Sequence, residues 1–274
     1  MMNLRSFRAL APTLLVVTAA CSLNVRITGE PIDSSQEHLV STEQIHAALS
    51  AHPEWIRDAI LTNPQMVIDA QMAVAQKQAV ARQAVARQSV AENRAAVFAD
   101  PADPVIGNSA GDVTIVEMTD YQCPYCKGIT PVLDQLLASD PGIRLVTKEF
   151  PILGPGSEIA ARYALASMKQ GKYAPFHAAL MADKTPEHQL DEARIRAIAG
   201  QLGLDLARLK FDAESQEISA RITANRLLAQ KLAITGTPGL IVGDQVQSGA
   251  MTLEALKKAV AEARARQQGV RPQS

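Results

Sequence analysis

The chain has 274 residues, 47% hydrophobic and 20% charged, enough for one well-packed domain with a smaller appendage. A net charge of −1 gives no sign of a nucleic-acid partner, and three cysteines are too few for a disulfide scaffold. Only 4% of residues are aromatic, so the core must rest on Leu, Ile, Val and Ala.

Residues 1–20 read as an export signal. Arg5 and Arg8 precede an uncharged apolar stretch from Ala9 to Ala20, too short to cross a bilayer as a helix. Removing those two of 27 basic residues, against 28 acidic ones, leaves the chain near −3. Thr18-Ala19-Ala20-Cys21 leaves two outcomes open. Cleavage before Cys21 suits ordinary signal peptidase. The stretch also resembles a bacterial lipobox, with Thr18 in place of the usual Leu, in which case Cys21 is lipidated and supplies a membrane anchor. Both place the protein in the periplasm, where disulfides persist. Cys123 and Cys126 are then the one thiol pair left.

Residues 21–39 carry Gly, Pro, Asp and Ser without apolar period and read as a tether. Ser41-Thr42-Glu43-Gln44 has the form of a capping box, and further helix starts come at Pro53 and at Asn63-Pro64. No Gly or Pro interrupts the chain from Gln65 to about Phe98, which predicts one long Ala-rich helix. Its five-residue near-repeat turns Val80, Val85 and Val90 around the axis by about 140° each. No single valine stripe results, and Ala73, Val80, Ala84 and Ala91 form the expected seam. Residues 40–98 thus make a helical N-terminal domain, either a spacer rod or a self-association element built on Trp55, Ile56, Ile60 and Val67. Asp100-Pro101-Ala102-Asp103-Pro104 ends it, and a second domain spans 105–268.

In that domain an apolar strand, Val113–Met118, leads to Cys123-Pro124-Tyr125-Cys126 and then to a helix-compatible segment from Ile129 to Ala138. The pair therefore sits where a strand hands over to a helix. Unpaired N–H groups and the positive end of the dipole stabilise a thiolate there, so Cys123 is the attacking sulfur and Cys126 the resolving one. A zinc site would need a second Cys or His pair at ligand spacing, which the sequence lacks, and no metal is expected. A structural disulfide over so short a loop stabilises little. Glu117 lies six residues before Cys123 on the buried strand, where desolvation raises a carboxyl pKa and suits it to take or give the Cys126 proton. A second strand, Ile143–Phe150, completes a βαβ unit, and residues 157–234 read as a helical insertion. Within the insertion, His177 reads as a packed helix residue with a satisfied hydrogen bond. Thr237-Pro238 heads the next strand, and a last helix runs from Leu253 to about Arg266.

Glu117, Cys123-Pro124-Tyr125-Cys126, the Tyr173/Phe176/His177 segment and Gly236-Thr237-Pro238 resemble, in order and spacing, the DsbA-like thiol–disulfide oxidoreductases. The resemblance covers roughly Val105 to Arg266. It implies an α/β thioredoxin fold with an inserted helical domain, a cis Pro238 beside the thiols and Glu117 as the buried proton-transfer acid. It also implies substrate contacts at Pro124, Tyr125, Thr237 and Pro238, and no cofactor. Residues 40–98 are similar to the N-terminal helical extension of the suppressor-of-copper-sensitivity, ScsC-type branch and of Com1-like proteins. In the ScsC-type branch the extension can build a trimer, and trimeric members act as disulfide isomerases. The implied partners are unfolded or misoxidised exported proteins, a membrane redox partner that resets the thiols, and further copies of the chain in a homotrimer. Oxidase, isomerase and reductase remain open, because the dipeptide between the cysteines does not fix the reduction potential. The alternative from another class is a copper-binding or copper-tolerance surface lipoprotein that uses the two thiols as soft ligands.

Overall fold

A computed structural model describes residues 40–269; the export segment, Cys21 and the tether lie outside the described residues. The chain divides into two compact units, one ending at Met66 and one beginning at Val67. The first holds α1 (Thr42–Ala51) and α2 (Pro53–Thr62). Ser41 closes the predicted capping box: its hydroxyl accepts from the Gln44 N–H at 3.2 Å, while the Gln44 side chain accepts from the Ser41 N–H at 2.9 Å. No residue of α1 or α2 is buried, so Trp55, Ile56 and Ile60 of α2 stay exposed.

The long helix is α3 (Gln65–Glu92), which stops short of the expected end near Phe98. It ends at Asn93, whose side-chain amide shares the Ser89 carbonyl, at 2.8 Å, with its own N–H at 3.1 Å, and a short α4 (Arg94–Phe98) follows. The face that packs is not the Ala73/Val80/Ala84/Ala91 seam, whose residues are all exposed. Gln83, Ala86, Ser89, Val90, Asn93 and Val97 are covered instead, at helical spacing, and Val90 and Val97 enter the core.

The remainder is an α/β fold on a five-stranded sheet in the order β1-β3-β2-β4-β5. These are β1 (Val105–Gly107), β2 (Val113–Thr119), β3 (Ile143–Glu149), β4 (Gly239–Val242) and β5 (Gln245–Ser248). β2 and β3 run parallel, joined by α5 (Pro124–Ser139); β4 and β5 form an antiparallel hairpin beside β2, followed by α11 (Leu253–Gln267). A βαβ unit followed by a ββα unit is the thioredoxin arrangement, and β1 is a short antiparallel addition at the edge. Successive residues of β2 point to opposite faces. Val113 and Ile115 pack with Leu133, Leu136, Leu256 and Val260 of α5 and α11, whereas Val116 and Met118 pack with Val90, Val97, Leu228 and Ile234.

Between β3 and β4 the chain inserts α6 (Pro155–Ser167), α7 (Tyr173–Ala182), α8 (Glu192–Gln201), α9 (Leu206–Ala213) and α10 (Gln216–Lys231). Asp191, Asp205 and Ser215 cap α8, α9 and α10 through their side-chain oxygens. The core of this insertion is continuous with the thiol end of the sheet: Tyr121, Cys123 and Cys126 share one apolar cluster with Phe176, Leu180 and Ile195.

Candidate active site

Cys123 is the N-cap of α5, in extended conformation (φ −73°, ψ 118°), with Pro124 at the first helical position. The preceding turn is fixed from several sides. The Cys123 N–H bonds the Asp120 carbonyl at 3.1 Å. The buried Asp120 side chain accepts from the Gln122, Ile152 and Leu153 N–H groups at 2.8, 2.8 and 3.0 Å, and from the Ser157 hydroxyl at 2.6 Å. This one side chain ties the thiol-bearing turn to the loop that follows β3. Cys123 and Cys126 are buried free thiols, while Pro124 and Tyr125 between them are exposed, Tyr125 at 68%.

Thr237 and Pro238 approach from the head of β4. Their peptide bond is cis, and the Cys123 thiol donates to the Thr237 carbonyl at 3.2 Å. Pro238 is buried, and its carbonyl accepts from the Gly249 N–H at 2.9 Å. Of the residues singled out around the thiols, Pro124 and Tyr125 thus form an exposed dipeptide, Glu117 a buried acid, and Thr237-Pro238 a facing loop.

The two thiols differ sharply in acidity. The hydrogen bond from Cys126 is the main cause that pulls the Cys123 thiol down to about 6. The Thr237 side chain and the Cys126 and Tyr125 N–H groups act in the same direction, and burial acts against them. The contact with the Thr237 carbonyl favours the protonated form and is outweighed. Cys126 is pushed well above the ordinary thiol range, first by its hydrogen bond to Cys123, then by burial and by the charge of Glu117. Glu117, 1% exposed in β2, is raised to about 7, mainly by burial; the Thr119 side chain opposes the rise, and the charges of Cys123 and Asp134 add to it.

A second buried acid escapes sequence reasoning. Glu149, at the end of β3, accepts from the hydroxyls of Tyr121 and Tyr173, each at 2.8 Å, and burial raises it to about 8. Tyr121 also meets His177 Nδ1 at 3.0 Å, so the histidine expected to be packed and satisfied is both. In the sequence Lys148-Glu149 looks like the polar end of a strand; only the convergence of Tyr121, Tyr173 and His177, far away along the chain, encloses it.

Known proteins resemble this chain in family and fold. The family model described as the DSBA-like thioredoxin domain matches residues 114–261. A solved thioredoxin-like oxidoreductase from Silicibacter pomeroyi DSS-3 is 45% identical, covering 63% of this chain and 98% of that one, with a TM-score of 0.61. The thiol-disulfide exchange protein alpha-DsbA2 from Wolbachia pipientis is 32% identical over 66% of this chain and 97% of its own, with a TM-score of 0.62. Proteus mirabilis ScsC, in a transitional conformation, is 29% identical and extends the likeness to 81% of this chain and 99% of its own, with a TM-score of 0.60. The chain spans about a quarter of the length of the first curated relatives it matches. One of these, a Na(+)/H(+) antiporter NhaA 3 of Salinispora tropica, is 32% identical over 62% of this chain and 27% of that protein. Among the described residues no helix is long and apolar enough to cross a membrane.

Proposed function

Because the chain belongs to the DsbA-like thioredoxin family, a family of thiol–disulfide oxidoreductases, we propose that it exchanges disulfides with exported proteins through Cys123 and Cys126. The observation that carries this reading is the Cys123 sulfur at the head of α5, 3.2 Å from the Thr237 carbonyl, with Cys126 one turn behind it. The Cys123 thiolate attacks a substrate disulfide; that bond breaks, a mixed disulfide forms, and one substrate thiolate leaves. Cys126 then gives its proton to the Glu117 carboxylate and attacks the Cys123 sulfur. The internal disulfide forms, the second substrate thiolate leaves, and the substrate is reduced by two electrons as the chain is oxidised. In the reverse sense the internal disulfide is donated to a substrate dithiol. A Cys123 thiol pulled down to about 6 is a good leaving group and stabilises the reduced pair, which supports the donating direction.

Pro124, Tyr125, Thr237 and Pro238 form the surface that receives an extended substrate segment. In the Thr237-Pro238 loop it is the Thr237 backbone that can pair with such a segment, since Pro238 has no N–H and its carbonyl is held by Gly249, and the exposed Tyr125 ring offers apolar contact. Export by residues 1–20, with or without lipidation of Cys21, supplies the oxidising compartment, and a membrane redox partner resets the thiols. The uncovered apolar residues of α2 and the likeness to ScsC over most of the chain support self-association through residues 40–66. An assembly that presents several thiol pairs to one substrate suits isomerisation; a monomer suits oxidation. The reduction potential of the pair, measured together with the mass in solution, separates the two.

Cys123→Ser is expected to bring turnover in a scrambled-substrate refolding assay down to the uncatalysed background. Full activity in that variant overturns the mechanism. Tight copper binding by the wild-type protein without insulin reduction would instead favour the soft-ligand alternative.

A further inference from the structure

The buried polar groups beneath the thiols exceed what one proton-transfer acid requires. In the parallel register of β2 and β3, Glu117 lies opposite Thr147, and Thr119 opposite Glu149. Side chains two residues apart share a face, so these four form a polar quartet on one side of the sheet. All four are buried, and among the described residues Glu117 Oε1, Thr119 Oγ1, Thr147 Oγ1 and Glu149 Oε2 have no partner at good hydrogen-bond geometry, although the Thr119 and Thr147 hydroxyls lie near enough to act on Glu117 and Tyr173. Buried oxygens left in this way are costly and call for a functional account.

The two acids also share neighbours around the edge of the quartet. Glu117 and His177 line the same small cavity, of about 50 Å³, with Thr130 and Asp134. His177 Nδ1 meets the Tyr121 hydroxyl at 3.0 Å, and that hydroxyl donates to Glu149 Oε1 at 2.8 Å. Tyr121 has one hydroxyl proton, and it goes to Glu149, so Nδ1 of His177 carries the proton between the two rings. Between Glu117 and Glu149 there thus lie the cavity, the imidazole and one phenol, the last two in hydrogen-bonded contact on the Glu149 side.

We propose that Glu149 is a positioning residue of the dithiol centre: a second proton-holding acid that sets when Glu117 is free to take the Cys126 proton, with His177 and Tyr121 as the bridge. The inference rests on thiol–disulfide exchange with Glu117 as proton acceptor. Two carboxylates on adjacent buried strands resist being ionised together, and their protons leave in two coupled steps. Glu149 retains a proton while Glu117 is charged, so Glu117 can act as base. The groups that face Glu149 are Glu117 from β2, Asp120 and Tyr121 from the turn, and Tyr173 and His177 from α7. Those that face Glu117 are Glu149 from β3, Cys123, Cys126 and Asp134 from the turn and α5, and His177 from α7.

The test is the pH profile of the resolving step. Glutathione is loaded on Cys123 of the intact protein, and its release by Cys126 is followed by quenched flow. Wild type should show two ionisations. Glu149→Gln keeps an acceptor for both tyrosines and stands in for the protonated acid; it should show one, with the Glu117 midpoint kept and the second, more alkaline ionisation lost. Glu117→Gln should slow the step at every pH. A Glu149→Gln profile that overlays wild type, with Glu117→Gln impaired, overturns the role of Glu149 alone. Normal profiles in both variants overturn the proton role of Glu117 as well. Should Glu149→Gln fail to fold, carboxyl carbon NMR of the wild-type protein decides. The Glu149 titration should move between the oxidised and reduced states, and an identical titration in both overturns the proposal.

Discussion

At the residue scale, the chemistry rests on unequal neighbours. One thiol is acidified by the other's proton, and an acid that would be charged in water is buried beside them. That acid has a consequence for stability. Glu117 is raised in the folded chain to about 7, above its ordinary value of 4.5, so folding favours its protonated form. Its stabilising contribution is complete below about pH 4.5 and is lost as pH rises through about 7, a loss on the order of 3 kcal/mol. Glu117→Gln has no such loss. Urea unfolding of the reduced protein should therefore find this variant more stable than wild type at pH 8 by about that amount, with the advantage shrinking toward pH 5. The same substitution should slow the resolving step by about a hundredfold. Cys123, Cys126, Glu117 and Pro238 are legible in the sequence because each announces itself by residue type and local spacing. Glu149 is not, because nothing close to it in the chain indicates that two tyrosines and a histidine will close over its carboxyl.

At the element scale, the turn at the head of α5 gathers four hydrogen bonds onto one side chain. Asp120 is the acceptor for donors from Gln122, Ile152, Leu153 and Ser157. Asp120→Ala orphans all of them and is expected to cost about 3 kcal/mol or more. Asp120→Asn keeps Oδ1 for Gln122 and Ser157 and should fall between wild type and the alanine variant in urea midpoint. The strands flanking α5 are readable from their apolar runs. Three-residue β1 is not, since its only pairing is with β3, beyond the whole of β2 and α5. The break at Asn93 is equally hidden, because it coincides with an amide that folds back on Ser89 and involves no Gly or Pro.

At the scale of the whole molecule, the long helix belongs partly to the catalytic fold. Val90 and Val97 lie in the same cluster as Val116, Met118 and Ile241 of the sheet. A chain starting at Val67 should be monomeric by light scattering if residues 40–66 drive association, and it should keep wild-type stability per subunit. A chain starting at Ala99 loses two buried valines and should be less stable by about 4 kcal/mol. Sequence periodicity misplaces the packed face of α3. In an Ala-rich helix every face carries small residues, and the choice among them is made by the surface the helix meets.

That anchored helix also has a mechanical meaning. From Val67 to Arg82 it is exposed along its whole length, about 24 Å at the usual rise, and only its last turns are set into the sheet domain. It is a cantilever, clamped at the end that holds Val90. A pull on the exposed turns is carried as bending and torque into the strand layer that holds Glu117, without a loose hinge to absorb it.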